Sequence, residues 1–323
     1  MGIFLNSKMP YTEYRAIALD TYFVDKTELL ADLIPAFGKK NRFFCITRPR
    51  RFGKSVMANM VASFFGKAQD AESLFASKAI SKHKDYARYL NRYQLIYIDF
   101  SRMPERCGSY AAYMERILHG LKKDLAEQYA DLNLDPADAV WDILQNIFEK
   151  TLERFVFVLD EWDAIFGKPF VTIEDRKEFL DFLRELLKGQ SYVGLAYMTG
   201  VLPIAKYSSG SELNMFLEYD MATKKKFSEY FGFSDAEVDR LFARYQRTTE
   251  HAQITREDLR IWYDGYYTKE DLPEKPKRTW VIETQEVRAG GESRYLASLT
   301  EDCRVSGDAF YKYGEEIVLP LGT

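Results

Sequence analysis

Four short apolar runs restrict what this chain can become: "RFFCIT" (42–47), "QLIYIDF" (94–100), "RFVFVLD" (154–160) and "YVGLAYMT" (192–199). Each is nearly continuous in apolar residues rather than alternating. Strands covered on both faces have that pattern, as in a parallel sheet. Between them, apolar residues recur at helical intervals. Val56, Met57, Met60, Val61, Phe64 and Phe65 form one such set. Ile117, Leu118, Leu121 and Leu125 form a second, and Phe179, Leu180, Leu183, Leu186 and Leu187 a third. Strand alternating with helix predicts an α/β fold, a mostly parallel sheet between two helical layers. A chain of 323 residues, 46% of them hydrophobic, has the apolar material for such a core.

The first run leads into "RPRRFGKS" (48–55) and then into the first helical set. Strand, glycine-containing loop and helix in that order make a P-loop. Its backbone N–H groups and helix N-terminus face phosphates. Lysine reaches the β- and γ-phosphates, and the next hydroxyl binds Mg2+. Here Gly53, Lys54 and Ser55 stand in those places, and Val56 continues the helix. Arg48 replaces the usual first glycine. The candidate nucleotide-binding residues are Arg50, Arg51, Phe52, Gly53, Lys54, Ser55 and Val56. Arg50 and Arg51 could screen charge, stabilise hydrolysis or hold a partner.

The third run ends in Asp160 and Glu161. An aspartate at the tip of a buried strand helps hold Mg2+ in P-loop enzymes. The adjacent glutamate can act as general base on the attacking water. The alternative is that Asp160, Glu161 and Asp163 merely cap a helix start. Thr199, at the tip of the fourth run, can position or sense that water, or simply end its strand. A strand lies between the P-loop strand and the Asp-Glu strand in sequence, and no guanine-specific Asn-Lys-x-Asp is present. That order favours an ATPase of the additional-strand, catalytic-glutamate class over a GTPase. Lys54, Glu161, Thr199 and Arg51 are the catalytic candidates, Ser55 and Asp160 the metal ligands, and ATP and Mg2+ the expected cofactors.

The net charge of −4 gives no global basic field for nucleic acid. DNA contact would need the local clusters at 48–51 or 224–226, and a solvated face explains the latter more simply. Cys45, Cys107 and Cys303 are odd in number and widely spaced. They form no disulfide framework or zinc pattern and suit a reducing cytosol. No apolar run approaches the roughly 20 residues of a membrane span. The expected location is cytoplasmic, without membrane partners.

Five stretches together resemble the AAA-ATPase-like family: "YFVDKTELL" (22–30), "RPRRFGKS" (48–55), "VLDEWDA" (158–164), "MTGVLPIAK" (198–206) and "WYDGYY" (262–267). In that family the ATPase domain commonly precedes a PD-(D/E)XK nuclease-like domain. The resemblance implies ATP binding by Lys54 and Ser55, with Asp160 and Glu161 on magnesium and water. It makes Arg48 a family feature, and it adds Asp25 to the nucleotide-site candidates, with Tyr22 or Phe23 packing on adenine. The plainer alternative has Asp25 and Glu28 forming a capping box with the aromatics in the core. A homo-oligomer or a protein partner is compatible with such a module.

The expected organisation is a P-loop core at 1–232, a helical appendage at 233–268 and a divergent tail at 269–323. Ser234 and Glu237 have capping-box spacing. A second helix is expected from Thr255 to a turn at Asp264-Gly265. "LPEKPKR" (272–278) looks like a linker, and "VIETQ" (281–285) only weakly echoes a nuclease metal motif. No complete nuclease domain is expected.

Overall fold

Burial of both faces, inferred from the continuous apolar runs, is what the computed structural model shows. It describes residues 2–207, 212–220, 226–248 and 254–267, together with strand segments beyond them. Contacts gather into two units, Met1–Thr47 with Lys54–Glu218, and Arg48–Gly53 with Tyr219–Thr323.

In the first unit the four runs become β1 (Phe43–Thr47), β2 (Gln94–Asp99), β3 (Phe155–Asp160) and β4 (Val193–Gly200). With β5 (Leu217–Tyr219) they form one sheet in the order β2-β3-β4-β1-β5. Neighbours among β1 to β4 are parallel. Among the described residues eight α-helices accompany them: α1 (Met9–Ala18), α2 (Glu28–Leu33), α3 (Lys54–Phe65), α4 (Glu72–Phe75), α5 (Tyr86–Tyr89), α6 (Tyr110–Gln128), α7 (Val140–Thr151) and α8 (Ile173–Leu187).

The strand pleat divides the core. Phe43, Cys45, Ile96, Ile98, Phe155 and Phe157 pack in one cluster with Ile117 of α6, Ile147 of α7 and Leu183 of α8. On the opposite face α3 packs on β2, β3 and β4, with α1 against it. The result is the three-layer α/β/α arrangement expected. Each fully buried Leu, Ile or Phe contributes about 1.5–3 kcal/mol, so both faces of the sheet stabilise the unit. In α3, Ala58, Met60, Val61, Ala62, Phe64 and Phe65 are all buried, as befits a helix at the centre of a core rather than on its surface. Ser109 caps α6, and Thr172 with Asp175 forms a reciprocal capping box on α8.

Parallel pairing puts the carboxyl ends of β1 to β4 on one side of the sheet. Asp99 lies opposite Asp160 in the register, and Thr47 opposite Gly200. That is where ligands bind in open α/β sheets.

In the second unit α9 (Asp235–Thr248) begins after Ser234, whose N–H and hydroxyl both donate to Glu237. Arg256, on α10 (Arg256–Tyr263), joins the two helices through Asp235 at 3.1 Å and Asp239 at 2.6 Å. β6 (Phe233–Ser234), β7 (Asp264–Tyr267) and β8 (Arg278–Trp280) form an antiparallel sheet in the order β6-β8-β7.

One expectation needs correction here. Asp264-Gly265 is not a helix-ending turn. α10 stops at Tyr263 and Asp264 enters β7, because its backbone pairs with β8. Beyond it the tail contains β9 (Gln285–Ala289), β10 (Glu292–Ser298), β11 (Arg304–Ser306), β12 (Asp308–Phe310) and β13 (Glu316–Leu319). Residues 272–277 of the linker-like stretch, 281–284 of the nuclease echo, and Lys224 and Lys225 of the basic cluster lie outside the described residues. Among the described residues no helix is long and apolar enough to cross a membrane.

Candidate functional site

At the carboxyl end of the sheet, the turn after β3 is stitched to the end of β4. The Thr199 hydroxyl donates to the Asp160 carboxylate and accepts the Glu161 N–H at 3.3 Å. The Trp162 N–H donates to the Thr199 carbonyl at 2.9 Å. Asp163 does not cap a helix with its side chain. Its carboxylate accepts the N–H groups of Val201 and Leu202, the latter at 2.8 Å. Trp162 is fully buried, and a Cβ on Gly200 would overlap its indole and the Asp163 carboxylate. Only glycine fits beneath that ring.

This stitching leaves Glu161 with φ +51. A non-glycine residue there costs on the order of 1–2 kcal/mol. Such strain persists where surrounding contacts over-determine it, commonly at functional sites. Here Thr199 holds the N–H before the side chain, and Trp162 the position after it.

Lys54 and Ser55 open α3 within the same unit. Lys54 is 5% exposed and Asp160 3%. Burial pushes the Asp160 carboxyl upward and the Asp99 charge adds to it, while hydrogen bonds from Thr199 and Ser55 and the Lys54 ammonium pull it down. Burial also raises Glu161, with Asp160 adding and Lys54 opposing. Lys54, Ser55, Asp160, Glu161 and Thr199 are therefore one interacting cluster. Ser55 and Asp160 are hard oxygen donors in hydrogen-bond contact, a set that fits Mg2+ completed by phosphate oxygens and water. Among the described residues no group of three or more His, Cys, Asp or Glu could hold a metal by itself.

Two substitutions test this geometry. Thr199→Val keeps the shape but removes a donor to Asp160 and an acceptor for the Glu161 N–H. A loss of about 1–3 kcal/mol in denaturant unfolding is expected; an unchanged midpoint would contradict the stitching. Asp160→Asn tests the burial penalty. Because the native carboxyl is raised, its ionised form destabilises the fold above the native pKa, and the penalty vanishes below the unfolded value near 3.8. The variant without nucleotide is expected to melt at a higher temperature than the wild-type protein at pH 7. That gain shrinks as the pH falls through the raised native value; a gain constant from pH 7 to 4 would refute it.

Arg48–Gly53 clusters with the second unit. In that segment Phe52 is buried, Arg50 and Arg51 are exposed, Arg51 has φ +72 and Gly53 φ +79. Nothing would crowd a Cβ on Gly53, so backbone conformation alone requires glycine there. Val56 is half-buried in the first turn of α3. Asp25 is exposed and occupied locally: it accepts the N–H of Thr27 at 2.9 Å and of Ala79 at 2.7 Å. The Asp25–Glu28 capping box does not form, since α2 begins at Glu28 behind Thr27. Phe23 packs edge-on to Tyr14 with Lys78 over its ring at 4.3 Å, whereas Tyr22 is exposed.

Asp99 is the acidic residue that motif matching misses. It ends β2 as Asp160 ends β3, and its carboxylate binds the Ser101 hydroxyl at 2.6 Å and Arg102 at 3.0 Å. The available signal was an apolar run closing on aspartate.

Among curated proteins the chain is 26% identical, over 257 residues, to an "Uncharacterized protein in vnfD 5'region" of Azotobacter chroococcum mcd 1. The match covers 76% of this chain and 45% of that protein, so the chain spans less than half of that relative's length. Among solved structures it is similar to the Aeropyrum pernix ORC2 protein in ADPNP–ADP complexes, with TM-score 0.34 and 10% identity over 77% of this chain and 55% of that one. The ADP form of the same protein gives TM-score 0.32 and 11% identity over 73% and 52%. Likeness this low carries no argument. The family model described as "Predicted AAA-ATPase" matches residues 11–209, more than half of the 323. The chain belongs to the AAA-ATPase-like family.

Proposed function

We propose that this chain binds Mg-ATP through its Lys54-Ser55 motif and hydrolyses it, using the nucleotide as a switch or motor. The observation that supports this most is the cluster of Lys54, Ser55, Asp160, Glu161 and Thr199 at the carboxyl end of a parallel sheet. Lys54 is the cation for the β- and γ-phosphates. Ser55 and Asp160 are the protein oxygens for Mg2+, which when bound neutralises phosphate charge. Glu161 is the general base that takes a proton from the attacking water, and its raised carboxyl suits it to hold that proton. Thr199 orients both acids. Arg51 and Arg50 remain candidates for phosphate charge.

Calorimetry with ATP, with and without Mg2+, together with phosphate release, tests the proposal. Magnesium-dependent binding with turnover is expected. Binding with negligible turnover would favour the alternative, a nucleotide-dependent interaction module. No binding of any nucleotide would reject both.

A further inference from the structure

Arg48 stands where a P-loop ordinarily has its first glycine, and its surroundings account for the exchange. The guanidinium is 1% exposed, donates from Nη1 to the Tyr219 carbonyl at 2.7 Å, and lies 5.1 Å from the Phe231 ring centroid. A buried cation is costly unless hydrogen-bonded, and arginine suits such a place because it both donates and stacks. Four residues on, Phe52 is 2% exposed and its carbonyl accepts the Gly232 N–H at 3.3 Å. Both ends of the loop are thus fastened, Arg48 to Tyr219 and Phe231 and Phe52 to Gly232. Arg50 and Arg51 are exposed between the two anchors.

Tyr219 packs against the turn formed by the described residues 227–232. Tyr219 meets Phe227 edge-on at 4.7 Å, Phe227 lies 6.0 Å from Tyr230, and all three rings are buried. Phe227 has φ +72, a strained backbone that the packing around its buried ring retains. The segment continues through Gly232 into β6 and α9.

We propose that Arg48 is a positioning residue that fastens the phosphate loop to the 227–232 turn, so that nucleotide occupancy and the state of that turn change together. The proposal rests on the loop being an ATP-phosphate site. A ligand that orders the loop then tightens the turn, and anything that displaces the turn weakens ATP binding by the same factor.

The Gly232 amide reports this directly, because its N–H donates to Phe52. Hydrogen exchange is measured on the full chain with and without Mg-ATP. In the wild-type protein ATP is expected to slow Gly232 exchange by about tenfold. Arg48→Met fills the same space without the donor. It is expected to speed Gly232 exchange about tenfold without nucleotide, to remove the response to ATP, and to weaken ATP binding about tenfold. Arg48→Lys, which keeps a cation over Phe231 and one donor, is expected to recover part of the response. A merely structural Arg48 would lower thermal stability and leave the ATP response at Gly232 intact. If Arg48→Met fails to fold, Phe231→Leu takes its place, with a reduced ATP response expected. Calorimetric binding of ATP to the wild-type protein without any change at Gly232 overturns the coupling. Absence of calorimetric binding overturns instead the ATP assignment on which it rests.

Discussion

Glu161→Gln is expected to bind ATP as the wild-type protein does and to release phosphate 10²–10⁴-fold more slowly, the usual contribution of a general base. The substitution keeps size, backbone and hydrogen-bonding reach, so the left-handed backbone at 161, fixed by Thr199 and Trp162, is retained. What changes is the ability to accept a proton. Burial and the Asp160 charge raise the Glu161 carboxyl, so the glutamine also removes a repulsion beside Asp160 and should not lower stability. Single-turnover phosphate release, with the dissociation constant measured in parallel, separates the effects. Wild-type turnover in Glu161→Gln would remove this residue from the reaction.

Lys54→Ala is expected to act on binding instead. A hydrogen bond to a charged group contributes about 1.5–3 kcal/mol, so loss of the ammonium should weaken ATP by on the order of a hundredfold, at about 1.4 kcal/mol per factor of ten. Without nucleotide, Lys54 has a second effect. It is buried beside Asp160 and Glu161 and lowers both carboxyls. Removing it leaves the two acids less compensated, and both are expected to become harder to ionise. Melting temperature is therefore recorded with the titration, to separate lost affinity from a weakened fold. Undiminished ATP affinity in a folded Lys54→Ala protein would place the phosphates elsewhere.

The core strands are readable because burial on both faces leaves a plain trace, an unbroken apolar run ending in a polar residue. The runs at 42–47, 94–100, 154–160 and 192–199 differ from β1 to β4 by at most a residue at each end. α3 is readable for a similar reason: nothing between Lys54 and Phe65 breaks a helix, and its apolar positions recur. β5 is too short to leave a pattern, and the helix expected to reach Gly265 instead gives way to β7, where pairing with β8 overrides local preference.

The candidate site divides along the same line. Lys54, Ser55, Asp160 and Glu161 are visible because their chemistry depends on residue type and on position beside a strand or helix end. Asp99 is not visible as a member, because its place opposite Asp160 is a matter of sheet register. The occupation of Asp25 by the Thr27 and Ala79 amides is equally hidden, since one partner lies 54 residues away.

The sequence by itself determined the layered α/β core and the residue types at the strand tips, because hydrophobic period and local loop chemistry act over a few residues. Only the tertiary structure decided how those residues are held. It ties Thr199 to both acids, puts Glu161 in a left-handed backbone, and closes the wall around Arg48 with Tyr219 and Phe231 from far along the chain. Hydrogen bonds and burial depend on which distant segments meet, and no local stretch of residues contains that information.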